Sequence, residues 1–170
     1  MTLAQTELLW RIQLASRPLP RLGPVDVVQV GLLVELRAVE GDRIEPELCS
    51  AGEWWDGVRA VEAVGRRAIE ILHEGDEPVG PVILDAGGPE PRLYFLVPVG
   101  TATRWEEPGT VALGQKCHVV VPPAESTTPP GMHWHVLPSG PRSLTRPDAL
   151  RRALSQVRRE RRGSAEEAAS

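Results

Sequence analysis

A chain of 170 residues with 41% apolar and 25% charged residues has the length and composition of one globular domain with extensions. No run approaches the roughly 18 apolar residues of a membrane span, the longest stretch, Val27 to Val34, being broken by Gln29 and Gly31, so a membrane protein is excluded as an expectation. Charge is unevenly placed: residues 1–141 carry 19 acids against 11 bases and residues 142–170 carry 8 bases against 4 acids, which leaves an acidic body and a basic end.

Taken in order, Leu3 to Ala15 has the loose apolar spacing of a short amphipathic helix, stopped at Arg17-Pro18-Leu19-Pro20. Val25 to Leu36 is β-like in composition, as one strand or two around Gly31. With the polar, turn-rich segment 41–52 these residues form an N-terminal extension, 1–50, carrying a helix and a strand. The compact α+β domain is expected over 51–158, opening at Trp54-Trp55-Asp56. Val64, Ala68, Ile71 and Leu72 fall at i, i+4, i+7 and i+8, which predicts a helix over 62–74 ended by Gly75, with Arg66 and Glu70 placed to support each other.

Four short apolar runs follow, each bounded by Gly or Pro: Val82-Ile83-Leu84-Asp85, Leu93 to Pro98, Cys117 to Pro123, and Met132 to Leu137. Their β-branched and aromatic content predicts consecutive strands of a small antiparallel or mixed sheet, with Trp105 as a lid. A second flanking helix is expected over 146–158. Thr145 and Asp148 have the spacing of a capping box, Pro147 suits a first turn, and Leu144 and Ala149 suit a staple. Ala149, Leu150, Ala153, Leu154 and Val157 make its docking face; residues 159–170 have no apolar anchor and read as a disordered tail.

The candidate chemistry is sparse. His133 and His135 share a face on a strand and with Cys117 or His118 would offer zinc ligands, but Cys117 and His118 alternate, so at most one can join. The preferred reading puts both histidines toward solvent and Trp134 in the core, with no metal site. Cys117 has no base placed to activate it and reads as a small packed thiol. Cys49 and Cys117 lie far apart, form no CxxC and follow no signal peptide, the usage of reduced thiols in the cytoplasm. Glu45-x-Glu47, with lone Asp56 and Asp85, has a spacing that could hold a divalent ion but lies in a loop-like stretch and is a weak signal, and Gly87-Gly88 lacks a phosphate-loop lysine. The strongest charged feature is Arg151, Arg152, Arg158 and Arg159, extended by Arg161 and Arg162. It suits an anionic partner; the competing reading, preferred because the acidic body repels a phosphate backbone, is a solvated helix end.

Gly87-Gly88 leading to Leu93-Tyr94-Phe95-Leu96-Val97-Pro98-x-Gly100-Thr101-Ala102 belongs to a wider pattern. It includes Trp55-Asp56-x-Val58-Arg59, Gly80-Pro81-Val82, Trp105, Val119-Val120-Val121-Pro122-Pro123, Pro130-Gly131-x-His133-Trp134 and Leu144-Thr145-x-Pro147-Asp148-x-Leu150-Arg151. Over about residues 52–155 this resembles a degenerate bifunctional DNA primase/polymerase (prim-pol) N-terminal domain of the archaeo-eukaryotic primase superfamily, as found in small actinobacterial, Streptomyces-type proteins. The resemblance implies an α+β domain whose active members bind nucleotides and two metal ions through an acidic pair, a His and a further acid. Here Arg92 precedes Leu93 with no His between it and Gly88, and no Asp-x-Asp or Asp-x-Glu precedes that turn, so the fold carries over and the activity does not. The expectation is a non-catalytic binding or regulatory module with a protein partner and no cofactor. The alternative is a degenerate prim-pol-like protein in nucleic-acid processing or DNA binding.

Overall fold

The computed structural model describes residues 46–139 and 143–169. The readings of Leu3 to Ala15, of 25–36 and of Glu45 lie outside the described residues. The elements are β1 (Glu47–Ser50), β2 (Asp56–Val61), α1 (Glu62–Glu74), β3 (Val82–Asp85), β4 (Arg92–Val97), a 3-10 turn (Ala102–Arg104), β5 (Val111–Leu113), β6 (His118–Val121), β7 (His133–Val136) and α2 (Pro147–Ala168). They form an α+β fold: a five-stranded sheet in the order β5-β2-β4-β3-β7 and a two-stranded ribbon, β1-β6, with every pairing antiparallel.

The sheet is covered on both faces, which explains why β3 and β4 read as unbroken apolar runs. One face presents Val58, Ala60, Val82, Leu84, Leu93, Phe95 and Val97 to Ala68, Ile69 and Leu72 of α1 and to Ala149, Leu150, Ala153, Leu154 and Val157 of α2. The other presents Ile83, Tyr94, Leu96, Leu113 and Trp134 to Trp55 and the ribbon residues Cys49, Val119 and Val121. Tyr94 and Phe95 are adjacent, alternate faces and are both fully buried, so each centres a different core.

Several local expectations are corrected. Glu47–Ser50 lies in the stretch read as polar loop, yet pairs with His118–Val121 in register Cys49↔Val119. Val111–Leu113, within a stretch read as a turn, pairs with β2 and forms a sheet edge. Helix α1 spans the expected residues and closes at Gly75, whose N–H reaches Ile71 and Leu72 carbonyls, but its buried stripe is Gly65, Ala68, Ile69 and Leu72. Arg66 pairs with Glu62 at 2.7 Å rather than with Glu70, the orientation in which the acid precedes the base. Trp105 packs against the core under the helices and donates its Nε1–H to Thr110 Oγ1 at 2.8 Å.

Thr145 does not cap α2. The helix begins at Pro147 after Arg146, which makes no side-chain cap bond, while Thr145 is fully buried and its Oγ1 accepts the Gly80 N–H at 2.9 Å. Its own N–H donates to Leu96 O at 3.0 Å. A Cβ on Gly80 would collide with Ser143 O and Thr145 N, so the absence of a side chain there permits this backbone approach. Leu144 packs into the core under the ribbon and Ala149 into the other core, so they form no staple. Helix α2 also continues to Ala168, past the expected end at 158. Residues 159–168, read as tail, keep helical backbone through ties such as the Glu160 carboxylate on Arg67 (3.1 and 3.2 Å) and Ser164 Oγ donating to Glu160 O (3.0 Å).

Candidate functional site

The arginines singled out in the sequence all lie on α2, where consecutive residues point about 100° apart; Arg158 and Arg159 diverge, while Arg151 and Arg152 both reach the side facing α1. Arg151, Arg152 and Arg159 line an open groove of about 740 Å³ between α1 and α2, floored by Ile71, Leu72, Ala149 and Ala153 and edged by Glu74 and Glu77. Arg152 reaches Glu77 at 3.3 Å, as Arg146 does at 3.2 Å, and Arg151 reaches Asp148 at 3.4 Å; these are exposed pairs of small energetic weight. Arg159, Arg161 and Arg162 make no ion pair among the described residues. Arg158 is turned away from the groove.

Arg158 instead places its Nε 3.4 Å from Oε1 of Glu107, which is buried in the loop before β5. Ser155 Oγ donates to the other oxygen, Oε2, at 2.6 Å. This contact ties the Trp105–Thr110 loop to the middle of α2. At the far edge Arg67 forms ion pairs with Glu70, Glu74 and Glu160, and Arg67 holds the Glu160 carboxyl below its ordinary range.

The other carboxylates noted in the sequence serve the backbone. Asp56 is buried and its Oδ2 accepts the Ala102 N–H at 2.8 Å, holding the 3-10 turn against β2. Asp85 Oδ1 accepts the Gly87 N–H at 3.0 Å, so Gly87-Gly88 is an Asp-anchored turn. Glu47 is exposed on β1. Among the described residues no three His, Cys, Asp or Glu side chains come together to hold a metal ion.

His133 is buried rather than solvent-facing, with Nδ1 2.9 Å from Gly131 O. His135 is half-buried at the β7 irregularity, 3.5 Å from Arg66 Nη1; burial, then the Arg66 charge, hold its imidazole below the ordinary range. Trp134, between them, enters the core under the ribbon as expected. Cys117 lies before β6, its carbonyl accepting the Ala51 N–H at 2.9 Å, and His118 pairs opposite Ser50. Cys49 is buried on β1, and burial pushes its thiol up to about 12, so it stays protonated at neutral pH. Both cysteines are free.

The sequence did not single out the face of the sheet turned toward the ribbon. Arg59 of β2 lies opposite Tyr94 of β4, Tyr94 opposite Ile83 of β3, and Ile83 opposite Trp134 of β7. In the next row Arg92 lies opposite both Val61 and Asp85. Among the described residues Tyr94 Oη and Trp134 Nε1, both shielded from solvent, have no hydrogen-bond partner, a condition that costs about 1–3 kcal/mol for each group. Arg59 lies beside the hydroxyl without forming a well-made bond to it. Burial and then the Asp85 charge raise the Tyr94 phenol, while Arg59 and Arg92 oppose the shift. The period-two spacing of Arg92 and Tyr94 was a legible signal that they share a face; their strand partners were not.

No protein-family model, no curated protein and no solved structure matches this chain. Among the described residues no helix is long and apolar enough to cross a membrane.

Proposed function

We propose that the protein is a non-catalytic binding module that docks an acidic protein partner along the outer edge of α2. The observation that carries this reading is the groove between α1 and α2, where Arg151, Arg152 and Arg159 stand over an apolar floor of Leu72, Ala149 and Ala153. An apolar floor with a charged rim is the anatomy of a protein interface. The continuation of α2 beyond Val157 lengthens the basic edge with Arg161 and Arg162. Further support comes from the buried carboxylates: Asp56 and Asp85 are bonded to backbone N–H groups, and Glu107 to Ser155 beside Arg158. We place the module in the cytoplasm, where Cys49 and Cys117 would remain thiols.

The test is affinity capture from the native host with the parent chain and an Arg151→Glu/Arg152→Glu/Arg159→Glu variant. A protein retained by the parent and lost by the variant, with unchanged thermal unfolding of the two, is the expected outcome. The second reading, a degenerate prim-pol-like role on nucleic acid, draws on the same projecting arginines. Micromolar or tighter binding of single-stranded DNA at physiological salt, abolished by the triple variant, would replace the first reading with it. Weak binding that disappears as salt rises from 50 to 200 mM is the ordinary response of a few phosphate contacts and would not.

A further inference from the structure

The row Arg59–Tyr94–Ile83–Trp134 lies on the sheet face opposite the helices, away from the groove, and goes beyond the proposed docking function. Two of its members hold buried polar atoms without partners among the described residues, Tyr94 Oη and Trp134 Nε1. A third, Arg59, is half-buried and makes no ion pair among the described residues. Buried polar groups in folded proteins are nearly always bonded, so two orphans beside an unpaired cation need an account.

The donor chemistry narrows it. An indole N–H and a guanidinium only donate, and a phenol hydroxyl donates when its neighbour is a guanidinium that cannot accept. Arg59 and Tyr94 are directly opposed, a placement that puts their Cβ atoms about 4.5–5.5 Å apart. Arg92 occupies the next row on the same face and reaches Glu90 only at 4.0 Å. Asp85, the acid facing this cluster, gives Oδ1 to the Gly87 N–H at 3.0 Å and sets one carboxylate against two cations, Arg59 and Arg92. The missing complement is therefore an acceptor bearing negative charge.

We propose that this row is a binding site for an oxyanion, the phosphate or carboxylate group of a small ligand, held by Arg59 and the Tyr94 hydroxyl with the Trp134 N–H at its far side. Arg59 and Arg92, both partly exposed, form its open margin.

The experiment is thermal unfolding of the full chain in sodium phosphate, sodium acetate and sodium chloride at matched ionic strength. A ligand that binds only the folded state raises the midpoint in a concentration-dependent way. The expected result is a rise in phosphate or in acetate over chloride, the responsive salt identifying the ligand group. Arg59→Met should abolish the rise. Tyr94→Phe, which removes one oxygen and keeps the packing, should weaken the apparent affinity by about tenfold or more, the loss typical of a hydrogen bond to a charged group. The Arg151→Glu/Arg152→Glu/Arg159→Glu variant should respond like the parent. Equal midpoints in the three salts, a rise that survives in both Arg59→Met and Tyr94→Phe, or a rise lost with the α2 arginines would each overturn the proposal.

Discussion

Gly65 lies inside α1 and is buried against β4. A Cβ built there would meet Leu93 at 2.7 Å from Cδ1, 3.1 Å from Cβ and 3.3 Å from Cγ. Leu93 is itself fully buried in the core under the helices, so it has no free space to move into. Gly65→Ala therefore sets two effects against each other. Removing a helical glycine stabilises by about 0.8–1.0 kcal/mol through propensity. Forcing a methyl into a packed contact costs about 1–3 kcal/mol, because Leu93 Cβ and Cγ cannot yield without moving the strand or the helix. The net expectation is destabilisation by about 1 kcal/mol, a fall of roughly 3–5 °C in Tm for a domain of this size. Gly163 supplies the control: it is exposed on α2 and an added methyl would meet nothing within 4 Å, so Gly163→Ala should gain stability. Urea unfolding followed by tryptophan fluorescence would measure both. In the background of Leu93→Ala the Gly65→Ala step should turn favourable, giving a coupling of about 1–3 kcal/mol. A Gly65→Ala protein more stable than the parent, or no coupling to Leu93, would refute this account of how α1 seats on the sheet.

Phe95→Ala and Tyr94→Ala should each cost about 3–5 kcal/mol in urea unfolding, because both rings are fully buried on opposite faces; a near-parental midpoint for either would mean that its face is open. Ser155→Ala removes the donor to buried Glu107 Oε2 and should cost about 1–3 kcal/mol by the same measurement. For Cys49 the folded pKa is raised from 9.0 to about 12, so its contribution is full below pH 9 and is lost as pH rises toward 12. Stability should fall over that window by up to about 1.4 kcal/mol per pH unit, and Cys49→Val should lose that part of the slope.

Much of the fold was legible because its signals are local. The stretch 62–74 carries a helical period and ends at a glycine, and Val82–Asp85 is a bounded β-branched run; both elements occupy the residues that these patterns mark. The α+β class and the two flanking helices follow from them. What escaped was held by partners distant in sequence. Glu47–Ser50 has exposed, exposed, buried and half-buried positions and no apolar pattern; pairing with His118–Val121 makes it a strand. Thr145 has the spacing of a cap, but its hydroxyl serves the Gly80 N–H, 65 residues away. Helix α2 runs beyond its last buried residue, Val157, because helix formers and ties such as Gln156 to Glu160 (3.1 Å) suffice without a core contact.

The same distinction between local and distant signals governs the candidate sites. Arg151, Arg152, Arg158 and Arg159 stand out in the sequence because they are close along the chain, yet helical geometry turns Arg158 away from the other three, and each of the first three meets an acid. A charge run on a helix therefore overstates the surface that any one partner can reach, and the groove retains three of the four. Arg59, Tyr94 and Trp134 are spread over 75 positions and none stands out by its neighbours. Only the strand order β2-β4-β3-β7, combined with a register in which Tyr94 faces Arg59 on one side and Ile83 on the other, makes them one row. If that register slipped by one residue, Tyr94 would exchange faces with Phe95, and a ring without a hydroxyl would stand beside Arg59. Tyr94→Phe tests the chemistry of that placement while leaving its packing intact: loss of the salt response with retained stability would assign the hydroxyl to a ligand rather than to the core.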